Sequence, residues 1–203
     1  PLIITLSSKL SGTHQSACMA ASEASCPVRV VDSGHVTVSE RILVEYALGL
    51  AKEGLDAEEI AARVEAVRER VVVIGLLDTL EYLRRGGRIS AAAGTFGEML
   101  SIKPVITIEN GEVKMLGRAR GSKNGRNLLN QQIKASRGID FSMPLALGYA
   151  GLSDALLQKY IRDSRALWEE YPSDELPVYT VGATIGTHVG PGAIALAYFE
   201  REQ

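Results

Sequence analysis

Three observations predict an α/β fold. Short β-rich runs, LIITL at 2–6, VRVVDS at 28–33 and VVVIGLL at 71–77, alternate with segments of helical periodicity. Glycine, proline and hydroxyl residues sit at the hand-overs between them. A chain of 203 residues, 46% hydrophobic and 23% charged, holds enough apolar material for one large or two small domains. Such alternation predicts a largely parallel sheet with helices on its faces. The expected architecture is two α/β domains, residues 1–80 and 81–203, each a mostly parallel or mixed sheet flanked by helices. Any ligand is expected near their junction.

Each element has a local reason. Residues 2–6 form a buried strand. A domain rarely opens on a core strand without a lead-in, so residues preceding it are expected. Residues 14–25 form an Ala-rich helix closed by Pro27. Strand 28–33 turns at Gly34. Ser39 caps a helix to about Glu53 that is apolar nearly all round and hence buried, and Gly54 stops it. Asp56 and Glu59 make a capping box for the next helix, with Ile60, Val64 and Val67 on one face. After strand 71–77, Asp78 and Glu81 repeat the pattern for a short helix that ends at Gly86-Gly87 and bridges the domains. Asn110-Gly111 between two strand-like runs signals a hairpin. Ser122 caps a helix of about 15 residues, and PLALGYAG at 144–151 is a strand. Residues 153–171 form a helix with Leu156, Leu157, Tyr160, Ile161, Leu167 and Trp168 at helical spacing. PVYTVGA and AIALAYF close the chain as strands around the loop TIGTHVGPG.

Composition excludes several function classes. A formal net charge of −2 gives no bulk attraction to nucleic acid. Aromatic content is only 5%, so a large apolar site is expected to be lined by aliphatic groups. Cys18 and Cys26 lack metal-ligand spacing and fit small hydrophobes in a reducing compartment, with one disulfide between them left open. No apolar run reaches the roughly 18 residues of a membrane span, and no signal peptide is visible.

Three segments collect the unusual residues. The first, 7–13, places Ser7, Ser8, Ser11, Gly12 and Thr13 where a strand hands over to a helix. Backbone amides, hydroxyls and a helix N-terminus there suit an anion. The plainer reading is one N-cap among ordinary turn residues. The second is RRGGRIS at 84–90, where Arg88 follows two glycines and can reach an oxyanion as a planar fork. On its own it reads better as a glycine helix stop with basic residues suited to the dipole. The third is TIGTHVGPGA at 184–193, where His188 stands among glycines and a proline, a place for a presented side chain. An irregular turn with a solvent-facing His is its plain alternative. His14 and His35 are scattered and make no metal site. Neither a Walker A, a GxGxxG nor a GxSxG pattern occurs.

Taken together, SSKLSGTHQSA, LEYLRRGGRIS, MLSIKPVITIENGEV and THVGPGAIALAYF resemble, in order and spacing, the DegV family of bacterial fatty-acid-binding proteins. The resemblance spans essentially the whole chain. The family's chains are longer at the N-terminus and carry there a Thr-Ser-Gln-Pro loop that also touches the lipid carboxylate, a segment this sequence does not contain. The resemblance implies a long-chain fatty acid, such as palmitate, buried in the domain of residues 1–80, with no cofactor besides that ligand and no metal. It implies that Ser11, then Ser8, holds the carboxylate beside Gly12 and Thr13, with Arg88 and His188 near the head group. It also implies a carrier, not an enzyme, which is cytoplasmic and presents the acid to a separate ATP-dependent fatty acid kinase. Transient peripheral contact with a membrane would serve lipid exchange. The basic stretch Arg118, Arg120, Lys123 and Arg126 is the candidate kinase surface, or else simply a solvated face. Asn124-Gly125 departs from the Lys and Ala common in the family there and bears on the identity of the partner.

The physics suits a carrier. Burying ~14 methylenes gains roughly 11 kcal/mol before binding costs. A carboxylate cannot follow them unpaired, since a buried lone charge costs several kcal/mol. The rival from another class is a small-molecule transferase or phosphatase using Arg88, His188 and the hydroxyl loop.

Overall fold

The structure is a computed structural model, and it describes residues 1–89, 102–173 and 175–202. In chain order the elements are β1 (Leu2–Thr5), α1 (Thr13–Ser22), β2 (Arg29–Asp32), α2 (Val38–Lys52), α3 (Ala57–Val67), β3 (Val71–Leu76) and α4 (Glu81–Arg85). Then follow β4 (Ile102–Glu109), β5 (Glu112–Arg120), α5 (Gly121–Ala135), β6 (Ala146–Tyr149), α6 (Ala155–Asp163), β7 (Val178–Thr180), α7 (Ala183–Val189) and β8 (Ile194–Phe199).

The fold is mixed α/β, with a two-stranded sheet β1-β2 and a six-stranded sheet β5-β4-β3-β8-β6-β7. The expectation of a largely parallel sheet is corrected. β1-β2 and β6-β7 are parallel, whereas β3-β4, β3-β8, β4-β5 and β6-β8 are antiparallel. Two features explain this. Asn110 and Gly111 both take positive φ (51° and 79°), the signature of a two-residue hairpin that folds β5 back on β4. The last strand, β8, then inserts between β3 and β6, antiparallel to both. The division expected at residue 80 does not coincide with the division between the sheets, because β3 lies before it and pairs with β4 and β8.

The six-stranded sheet has two unlike faces. On one, Ile74, Leu76, Leu147, Leu196 and Tyr198 pack against Leu129 and Ile133 of α5 and Leu157 and Tyr160 of α6. On the other, α2 covers Val71, Val73, Ala146, Ala197 and Phe199, and α3 packs behind it against β2. The side chains on this second face shrink toward one end of the sheet, to Gly75, Gly148, Ala193 and Ala195.

Several caps differ from expectation. The Asp56–Glu59 capping box is formed as predicted. Asp78 caps nothing and pairs with Lys103; the backbone N–H of Glu81 donates instead to Thr79 Oγ1 at 3.1 Å. Ser39 lies inside α2 and donates to the Val36 carbonyl at 2.8 Å, so the N-cap is Thr37, at φ 58°. Gly121 at φ 78° opens α5 with no side-chain cap from Ser122. The helix expected over 153–171 breaks after Asp163 into a 3-10 turn at Arg165–Leu167. Cys18 and Cys26 are free and exposed, so neither acts as a buried hydrophobe.

Candidate functional site

The hydroxyl loop is held at both ends. Ser7, 1% exposed, donates through Oγ to the Gly111 carbonyl at 2.7 Å, which ties the loop to the β4–β5 hairpin turn. The backbone N–H groups of Leu10 and Ser11 donate to the Ser7 carbonyl, so the chain curls tightly before α1. Gly12 is the N-cap of α1 and offers no side chain. Ser11 Oγ accepts from the Thr13 N–H at 3.3 Å and lies 2.8 Å from Thr13 Oγ1.

Arg88 reaches this loop. Its Nε donates to the Leu10 carbonyl at 3.3 Å and its Nη1 to the Gly86 carbonyl at 2.6 Å. His188 stands on the same ground from the other side. A Cβ placed on Gly86 would lie 2.1 Å from His188 Nδ1, so any side chain at position 86 would push the imidazole from its place. His188 Nδ1 is buried and has no hydrogen-bond partner among the described residues. His188 is helical, not in a loop as expected: α7 runs from Ala183 to Val189 and ends at Gly190, at φ 76°. Its seven residues are punctuated by glycine, which hides the helix from periodicity.

Ser11, Thr13, Arg88 and His188 therefore line one cavity of about 210 Å³. The three segments singled out from the sequence converge there. Most of the remaining lining is aliphatic, with Leu6, Leu10, Val73, Ile106, Ile108 and Val181 among it; Thr37, Thr107 and Thr184 add hydroxyls, and among the described residues no Phe, Tyr or Trp ring contributes. Gly75, Gly148, Ala193 and Ala195 form its floor on the small-residue face of the sheet. Sequence reasoning missed these four. A glycine inside each of the strand-like runs VVVIGLL and PLALGYAG was the available signal, since an interior strand glycine marks a close approach or a missing side chain. Thr37, at positive φ on the rim, was likewise not foreseen.

Two candidates fall elsewhere. Ser8 lines a separate polar cleft with Lys9, Asp32, His35 and Arg68, and its N–H donates to the Asp32 carboxylate at 3.2 and 3.3 Å. Burial pulls the other way, but hydrogen bonds from Ser8 and the Gly34 N–H hold the Asp32 carboxyl below its ordinary range. In the basic stretch, Arg118, Arg120 and Lys123 are exposed, whereas Arg126 is 6% exposed and donates to Asp163 at 3.0 Å. Arg126 is a structural ion pair between α5 and α6 and is not presented to a partner. Gly125 is needed for close packing, since a Cβ there would meet Leu76 Cδ1 at 2.6 Å. Ser90, the end of the RRGGRIS motif, lies outside the described residues.

With this geometry in view, the DegV family profile, described as a family of uncharacterised proteins, matches residues 2–201. The chain belongs to the DegV family. A DegV domain-containing protein of Caldanaerobacter subterraneus is 34% identical over 202 residues, covering 98% of this chain and 70% of that protein. A DegV family protein of Thermus thermophilus, described by its fatty acid binding, superposes with a TM-score of 0.83 at 32% identity, over 98% of this chain and 70% of that one. A DegV lipid-binding protein of Thermotoga maritima superposes at 0.82 with 27% identity, over 99% of this chain and 70% of that one. No helix among the described residues is long and apolar enough to cross a membrane.

Proposed function

We propose that the chain binds a long-chain fatty acid, its tail over the small-residue face of the sheet and its carboxylate among Ser11, Thr13, Arg88 and His188. One observation carries this: a mostly aliphatic cavity at which Ser11, Thr13, Arg88 and His188, from three distant segments, are gathered. The lining gathers hydrogen-bond donors for one small anion, and apart from the hydroxyls of Thr37, Thr107 and Thr184 the remainder is hydrocarbon. An acid with a long apolar tail is the ligand class that satisfies both. The fatty acid binding of the Thermus thermophilus relative supports the reading.

The finer proposal, resting on the family resemblance, is that the chain is a carrier and a separate ATP-dependent kinase phosphorylates the presented carboxylate. Uncharged hydroxyls hold a carboxylate without quenching it as an ion pair would. Charge-assisted donors matter more once a phosphoryl group adds charge and acceptor oxygens. Mass spectrometry of an organic extract tests the binding reading: stoichiometric C16–C18 acid is expected, and nucleotide or no ligand refutes it. Arg88→Ala and His188→Ala, assayed in parallel for acid affinity and for kinase-dependent acyl-phosphate formation, test the division of labour. The larger loss is expected in phosphorylation, and equal losses refute it.

A further inference from the structure

Helix α1 carries a thiol with a base fixed beside it. His14 and Cys18 lie one turn apart, and His14 Nε2 stands 3.5 Å from Cys18 Sγ. The other ring nitrogen, Nδ1, is 3.0 Å from Thr5 Oγ1. The Thr5 hydroxyl donates to the Val31 carbonyl at 3.4 Å. A hydroxyl has a single proton to give. In the tautomer whose Nδ1–H donates to Thr5 Oγ1, Nε2 keeps the lone pair that receives the Cys18 S–H. Thr5, at the end of β1, is 4% exposed, so the orienting group is anchored in the core while Cys18 is exposed. Nucleophile, base and orienter in this order is the arrangement that activates a thiol. Small neighbours, Ala17, Ala20 and Ala21, leave the sulfur approachable. Cys26 supplies an internal contrast, being equally free and exposed but without a hydrogen-bonded histidine among the described residues.

We propose that Cys18 is a reactive thiol, assisted by His14 and oriented by Thr5, that exchanges with low-molecular-weight disulfides to form a mixed disulfide. The Cys18 proton passes to His14 Nε2. The sulfur then attacks one sulfur of the disulfide; a new S–S bond forms as the old one breaks, and the other half leaves as a thiolate that recovers the proton. The site uses none of Ser11, Arg88 or His188, so it stands or falls apart from the fatty acid reading.

The test is oxidised glutathione at pH 7, with glutathionylation of each cysteine followed by peptide mass spectrometry. Cys18 is expected to react on the order of tenfold faster than Cys26. His14→Asn brings Cys18 down to the Cys26 rate, and Thr5→Val lowers it part of the way. Equal rates at the two cysteines of the unaltered protein overturn the proposal without any variant, and so does a full Cys18 rate in His14→Asn. Helix α1 buries no residue, so His14→Asn leaves the packing intact.

Discussion

Gly75→Val tests where the acyl tail lies. Gly75 sits mid-strand in β3 with its missing side chain facing the cavity. An added Cβ would lie 3.3 Å from Ile106 Cγ1 and 3.8 Å from the Ile194 carbonyl oxygen, so a shift of a few tenths of an ångström accommodates it. The two methyls of valine then project into the space assigned to the tail. Excluding two or three methylenes at ~0.8 kcal/mol each removes about 2 kcal/mol, or roughly thirtyfold in affinity. The empty protein loses nothing by the change, since valine suits a strand and glycine weakens one by about 0.5–1 kcal/mol. The assay pairs titration with a fluorescent fatty acid and urea unfolding of the ligand-free chain. Leu76→Ala is the control: one residue along, 1% exposed and on the opposite face, it costs about 2–5 kcal/mol of stability and leaves affinity within threefold. Undiminished affinity in Gly75→Val would refute the placement of the tail over β3.

Ser11→Ala removes one hydroxyl from the polar corner and is expected to weaken fatty acid binding by about 1–3 kcal/mol with unchanged thermal unfolding, whereas Ser8→Ala, in the polar cleft, is expected to bind normally; titration of both variants decides it. Glu40, in the first turn of α2, has its carboxyl pushed up by burial to about 7 from an ordinary value near 4.5. The folded state therefore binds more protons than the unfolded state between those values, and stability should fall as pH rises through that window; Glu40→Gln should flatten the dependence in urea unfolding at pH 5 and 8. Charge reversal at Arg120 and Lys123 is expected to slow kinase-coupled turnover at unchanged acid affinity, and no change in either quantity would make the stretch a plain solvated face.

Local chemistry was legible wherever one residue pair decides a conformation. Asp56 with Glu59 announced a helix start and Asn110-Gly111 a hairpin, and both formed where expected. Ser11, Arg88 and His188 were marked as unusual because polar residues interrupt regular elements there, but only the family resemblance gave them a shared role; all three reach one cavity. What stayed hidden was non-local. The direction of β8 depends on where the last strand inserts, which no window of sequence records. Arg126 looked like its basic neighbours, but Asp163, which neutralises it, lies 37 residues along the chain. Ser8 and Ser11 differ by three positions, and only the curl of the loop around the Ser7 carbonyl sends them to opposite sides.

The contact between Gly86 and His188 has a consequence for descent. The imidazole occupies the space where any other residue at position 86 would keep its first side-chain carbon. Arg88, two residues on, is hydrogen-bonded to the carbonyl that precedes Ser11. Positions 10–13, 86–88 and 188 thus constrain one another although more than a hundred residues of chain separate the outermost. Change among them should be concerted: a homologous chain that has gained a side chain at position 86 should also have given up its ring at 188. Gly86 then serves, within a single sequence, as a record of an inherited histidine about one hundred residues away.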